Sequence, residues 1–271
     1  MLLRLIAGYG STTCLKRKLR PVLKNDRPNG SWPSQLSSHE LASGAIRRSE
    51  PRVFDKDVLW LESRPAELGR TALVKFNGTE AQTLGPSDLN IRTLVHEYGG
   101  GGWLPTVHGI LISRFEDQRL WLLQDDLRPI TAEPDSPKSQ RFSDGTVVAD
   151  SDDTIWVIEQ HHPQGPQPKN FLATVSVDGA VTEIVSGADF YSSPTTSPDG
   201  RTLAYLSWDH PSMPWDHVRL HVARRGEKGW VDHQVVLDGP ALQQPRFSPE
   251  GLLHVISDAT GWWNIHEVEV D

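Results

Sequence analysis

The sequence predicts an all-β fold, a β-propeller of four-stranded blades. Three observations predict it: a strand–turn–strand unit recurs, turn glycines stand at blade-like intervals, and no long apolar stripe of helical period occurs. The clearest unit is Thr195 to Ala223, in which Ser197-Pro198-Asp199-Gly200 forms a turn and Arg201 to Trp208 follows as an apolar run of strand length. Proline presets φ, aspartate bonds its own backbone and glycine supplies a positive φ. An α/β enzyme would need helices between its strands. A β-sandwich with irregular turns is the competing all-β reading.

Five copies of the unit are legible. Their first strands are Asp57 to Glu62, Gly109 to Phe115, Gly145 to Asp150, Gly200 to Trp208 and Gly251 to Asp258. Each follows a turn signal: Asp55-Lys56-Asp57, His108-Gly109, Asp144-Gly145, Asp199-Gly200 or Glu250-Gly251. The second strands are Arg70 to Phe76, Gln118 to Gln124, Asn170 to Asp178, Val218 to Arg224 and Trp263 to Val270. Ten tryptophans, among them Trp60, Trp121, Trp156, Trp208, Trp262 and Trp263, offer large apolar area for packing between blades.

The 271 residues carry a net charge of −8, and the pI is near 5.8. That balance argues against nucleic acid or an anionic membrane as partner, since both demand a basic face. No apolar run approaches the length needed to span a bilayer. Cys14 stands alone, so no intrachain disulfide forms and a reducing compartment suits the chain. Residues 1–27 differ from the rest: six basic residues occur before the first acid, Asp26. They read as a disordered extension, with a mitochondrial-type presequence or an edge strand of the first blade as alternatives. Residues 28–271 are the propeller.

Several segments together resemble the propeller domain of the prolyl oligopeptidase family of serine peptidases, in the acylaminoacyl-peptidase and dipeptidyl-peptidase-like branch. They are Gly30 to Pro51, Val53 to Thr71, Arg92 to Trp103 with HEYGGGGW, Phe190 to Gly200, the loop WDHPSMPWD from Trp208 to Asp216, and Phe247 to Trp263. The resemblance implies an accessory propeller seated over a C-terminal α/β-hydrolase domain that carries a serine nucleophile on a G-x-S-x-G elbow. The sequence contains no G-x-S-x-G, so no catalytic residue is assigned, and the chain is read as stopping before the hydrolase domain. Family propellers have seven or eight blades, so about five blades imply an incomplete, open ring. Such a chain is a fragment, a truncated gene product or a module completed by another chain, and its uncovered terminal blade faces favour self-association.

Two segments are candidate sites. His96, Glu97 and Tyr98 precede Gly99, Gly100, Gly101 and Gly102. The four glycines lack the flanking helix and Lys-Ser/Thr pair of a phosphate loop, and serve close backbone approach instead. The alternative is that Glu97 beside His96 faces the central tunnel and helps receive a peptide amino terminus, as a partly desolvated carboxylate pairs with an ammonium group. The second segment holds Asp209, His210, Met213, Trp215 and Asp216, a proline-stiffened loop that contacts a hydrolase domain or narrows the substrate entrance; alternatively it is a hairpin connection packed on Trp208 and Trp215. His161-His162, Asp152-Asp153 and Asp125-Asp126 read as solvated loops, because adjacent side chains on an extended segment point apart. No metal or cofactor is expected.

The resulting expectation is a non-catalytic, substrate-gating propeller region of a serine peptidase. Its partners are short peptides and an α/β-hydrolase domain in cis or in trans, and its setting is cytoplasmic unless the basic extension directs it to an organelle. The rival is a stand-alone TolB-like propeller that acts as a binding module.

Overall fold

The computed structural model describes residues 31–270 apart from 32, 34, 164 and 166. The expected extension, residues 1–27, lies outside them. Contacts divide the chain into two units, Met1–Leu41 and Ala42–Asp271. The short helix α1 (Ser38–Ser43) opens on a capping box: Ser37 Oγ accepts the Glu40 N–H at 3.1 Å, and the Glu40 carboxylate accepts the Ser37 N–H at 2.8 Å.

The second unit is all-β. Its strands form four four-stranded sheets and one three-stranded sheet, each antiparallel and in simple chain order. The first blade contains β1 (Arg47–Phe54), β2 (Asp57–Arg64), β3 (Arg70–Phe76) and β4 (Ala81–Thr83). The second contains β5 (Trp103–Thr106), β6 (Gly109–Ser113), β7 (Leu120–Leu123) and β8 (Leu127–Pro129). The third contains β9 (Gln140–Val147), β10 (Thr154–Gln160), β11 (Lys169–Val175) and β12 (Val181–Ser186). The fourth contains β13 (Phe190–Thr196), β14 (Thr202–Trp208), β15 (Val218–Gly226) and β16 (Gly229–Gly239), and the fifth β17 (Leu242–Phe247), β18 (Leu253–Ser257) and β19 (Asn264–Val268). This is the propeller that the repeats predict.

The strands called first and second in three of the copies are the middle pair of each blade, and in the fifth blade they are its last two strands. One copy is corrected. Residues Gly145 to Asp150 are not a hairpin strand: 145–147 finish the inner strand β9, and the partner of β11 is β10. The Asp144-Gly145 signal is a β-bulge inside β9, where Asp144 takes φ 54° and the pairing with β10 slips between Ile155 and Val157. A left-handed Asp before Gly looks the same in sequence whether it makes a turn or a bulge. Gly145 is required there, since a Cβ would stand 2.6 Å from the Trp156 ring.

Packing between blades follows strand alternation. Four apolar clusters fill the gaps between consecutive blades, anchored by Leu61 and Trp103, by Leu122 and Trp156, by Val157 and Tyr205, and by Leu220 and Val255. Among the described residues no further cluster joins the fifth blade to the first. On the fifth blade Leu253, Val255 and Val268 turn toward the fourth, whereas Ile256 and its neighbour Ile265 lie on the opposite face, with Ile265 74% exposed. Trp103, Trp156 and Trp208 are buried as the composition suggests; Trp262, Trp263 and Trp215 are exposed.

Candidate functional site

The inner strands of the blades share one irregularity. Glu50, Asp144, Ser193 and Gln244 all take φ between 50° and 54°, each at the point where its strand slips register against the next. A bulge re-aims its side chain, and these four residues all line one central cavity of about 580 Å3. In the second blade Gly101 lines the same cavity.

Side chains at these bulges tie neighbouring blades together. Asp144 accepts the Gly101 N–H at 2.6 Å through one oxygen and the Ser193 N–H at 3.0 Å through the other. Glu50 accepts the Gly102 N–H at 3.2 Å. The glycine run therefore serves close approach: a Cβ on Gly100 would meet Asp144 Oδ1 at 2.9 Å, and Gly99 has φ 93°. Burial pushes the Glu50 carboxyl up to about 7, with the Gly102 hydrogen bond opposing and the charge of Asp144 adding.

His96, Glu97 and Tyr98 sit beside this cavity and none of them lines it, so Glu97 faces a neighbouring cavity and not the central one. His96 and Glu97 line a second cavity of about 370 Å3 with Glu159, His161, Phe190 and His210, and Tyr98 borders a third, next to Glu50. His96 and Glu97 are both left-handed, at φ 56° and 67°. The turn is held by the His96 N–H, which donates to Glu159 at 2.6 Å. The His96 ring packs edge-on to Phe190 at 5.2 Å and to Trp208 at 5.5 Å, and Phe190 stacks on Trp208 at 5.3 Å. Burial lowers the His96 pKa, so the ring is neutral at neutral pH.

Beneath the exposed Glu97 lies a charged group that motif reading did not single out. Glu159 is buried, 2% exposed, and accepts Arg141 at 2.7 Å and His161 at 2.6 Å. Arg141 also reaches Glu97 at 3.1 Å. The oxygen and nitrogen donors of Glu97, Glu159 and His161 lie within 4.8 Å of one another, a spacing open to a metal ion, yet the guanidinium of Arg141 already supplies the cation. His161 and His162 both line this cavity, because they lie past the end of β10, where strand alternation no longer applies. Asp152 instead pairs with His108 at 2.7 Å.

The 209–216 loop folds back on the same rim. Asp189 accepts both the backbone N–H and the ring of His210 at 2.9 Å, and Asp209 accepts the Asp189 N–H at 2.8 Å and pairs with Arg219. His210 packs on Phe190 at 4.8 Å, so His96 and His210 flank one phenyl ring. Asp216 accepts the Met213 N–H at 3.0 Å, closing the loop tip. Trp208 is buried, but Trp215 is 59% exposed and Met213 37%. The loop is thus held by Asp189 and Asp209, not by packing of Trp215.

A propeller whose bulged inner strands enclose a charged cavity, with an ordered aromatic and histidine rim, is the class of protein this geometry defines. The comparisons place it further. A puromycin-hydrolysing peptidase from Mycobacterium tuberculosis is 36% identical over 90% of the chain, with a TM-score of 0.78. A puromycin hydrolase is 32% identical over the same share, also at 0.78. The chain spans 40% of the length of each of these relatives. An acylaminoacyl peptidase from Pyrococcus horikoshii, with 79% of the chain and 36% of that protein covered, and a TolB from Acinetobacter baumannii, with 83% and 55% covered, match at TM-scores of 0.55 and 0.51. At 10% and 14% identity these two show the fold alone. No protein-family model and no curated protein matches the chain. Over 90% of its length the chain is thus similar to part of these puromycin-hydrolysing peptidases, which is consistent with a propeller region of the prolyl oligopeptidase family. Among the described residues no helix is long and apolar enough to cross a membrane.

Proposed function

We propose that this chain is the non-catalytic, substrate-gating region of a serine peptidase that acts on short peptides. The observation that carries the reading is the central cavity lined by the inner strands of four blades and by Gly101 just before that of the second, in a chain 36% identical to a puromycin-hydrolysing peptidase. Its diameter is set by rigid bulges pinned blade to blade, so it admits an extended peptide and excludes a folded protein. The rim formed by His96, Glu97 and the loop from Asp209 to Asp216 is the surface offered to an α/β-hydrolase domain, in cis or in trans. Met213 and Trp215 are its exposed apolar contacts. Glu97 is the rim carboxylate suited to a peptide ammonium group, and Arg141 orients it.

The test is hydrolysis of aminoacyl, acyl-aminoacyl and dipeptidyl chromogenic substrates by the purified chain, alongside labelling with a fluorophosphonate. The reading expects neither turnover nor label. A defined serine of this chain that takes the probe covalently would overturn it.

A further inference from the structure

The central cavity holds four charged side chains, Glu50, Arg52, Asp144 and Arg246, and they are not used alike. Both acids are committed to backbone amides of adjacent blades: Asp144 to Gly101 and Ser193, and Glu50 to Gly102. Among the described residues neither arginine makes a direct ion pair, although the charges of Glu50 and Asp144 reach Arg52. Arg52 lies with its guanidinium 5.4 Å from the centre of the Trp103 ring, and Arg246 donates to the carbonyl of Pro245 at 2.7 Å.

Arg52 stands on the first blade and Arg246 on the fifth. Burial is the main influence that disfavours the Arg52 cation; the charge of Glu50 favours it, and Arg246 repels it more weakly. An anion between them would relieve both penalties. A guanidinium presents parallel N–H groups that match a carboxylate in a bidentate fork. Glu50 and Asp144 line the same cavity as the two arginines, so an anion of low charge such as a carboxylate meets less repulsion there than a phosphate dianion does.

The geometry points to a subsite in the central cavity for one peptide carboxylate, held between Arg52 and Arg246. It rests on this cavity's own charges and not on a hydrolase partner, so its failure and the failure of the gating reading are separate results.

Isothermal titration of the 271-residue chain tests it. The probes are N-acetyl-triglycine, its C-terminal amide, the amide N-acetyl-Gly-Asp-Gly-NH2, and inorganic phosphate. Acetyl-triglycine binding about tenfold or more tighter than its amide identifies a terminal carboxylate, and tighter binding of the Asp peptide identifies a side-chain carboxylate. R246Q removes an exposed side chain outside the apolar clusters, so the fold persists, and about a tenfold loss of affinity is expected. R52Q acts in the same direction. The proposal is overturned if no carboxylate probe binds, if both carboxylate probes bind no better than the plain amide, if phosphate binds more tightly than either, or if R246Q with an unchanged circular dichroism spectrum binds as the parent chain does.

Discussion

Asp144 accepts the Ser193 N–H at 3.0 Å, and by this one bond the inner strand of the third blade is fastened to that of the fourth. Its other oxygen does the same for Gly101 of the second blade. One carboxylate at a bulge thus joins three blades where they meet the cavity. Asp144→Ala leaves two donors without partners and should cost about 2–4 kcal/mol of unfolding free energy. Asp144→Asn keeps one acceptor and tolerates the left-handed φ, so chemical denaturation should place it between alanine and the parent.

Glu50 makes stability depend on pH in a stated direction. Its folded pKa of about 7 lies above the unfolded value, so the folded state holds the extra proton between roughly pH 4.5 and 7 and loses that advantage as pH rises through 7. Glu50→Gln should therefore raise the melting temperature at pH 8, by about 1 kcal/mol or more of stability, and change it little at pH 5. Equal shifts at both pH values would show that Glu50 is not the titrating group.

His221 works in the opposite direction. Burial holds its pKa near 4, and its ring stacks on Tyr205 at 4.7 Å while Ser207 Oγ lies 2.8 Å from Nε2. The unfolded chain takes up the proton first, so stability present above about pH 6.5 is lost as pH falls toward 4. A His221→Gln variant should show a flatter melting curve against pH over that window.

Arg141 is the group whose loss should be felt most at the rim. Removing it leaves the buried Glu159 without its guanidinium, and breaking such a pair costs about 3–5 kcal/mol. Arg141→Met should unfold at lower denaturant, and the double change with Glu159→Gln should recover much of the loss. Without that recovery, the two side chains do not act as a pair.

The exposed Ile265 beside Ile256 predicts association through the fifth blade. Light scattering should show the parent chain forming larger species that Ile265→Lys reduces. A monodisperse parent would contradict this.

The blade pattern was legible because turn chemistry and strand alternation are local. Ser197-Pro198-Asp199-Gly200 reads as a turn, and the Gly200 N–H does bond the Ser197 carbonyl at 2.8 Å. Asp144-Gly145 misled for a physical reason: the same local conformation serves a bulge, and only pairing with β10 separates the two. His96 and His210 could be nominated singly, but their meeting across Phe190 is a contact between distant segments. Glu159 and Arg141 carried no motif at all. A charged residue inside the apolar strand TIWVIEQ was the available signal, since a buried acid demands a partner.

The central claim is that this propeller admits short peptides to a hydrolase domain and holds larger substrates out. The direct measurement is peptide-length selectivity of a chimera in which this chain replaces the propeller of a puromycin-hydrolysing relative. Cleavage rates are compared for an aminoacyl anilide, a series of lengthening peptides and a folded protein bearing the same terminal sequence. The account predicts turnover of the anilide and the short peptides, falling steeply with length and absent for the folded protein. Equal cleavage of the short peptide and the folded protein by a folded, active chimera would contradict it.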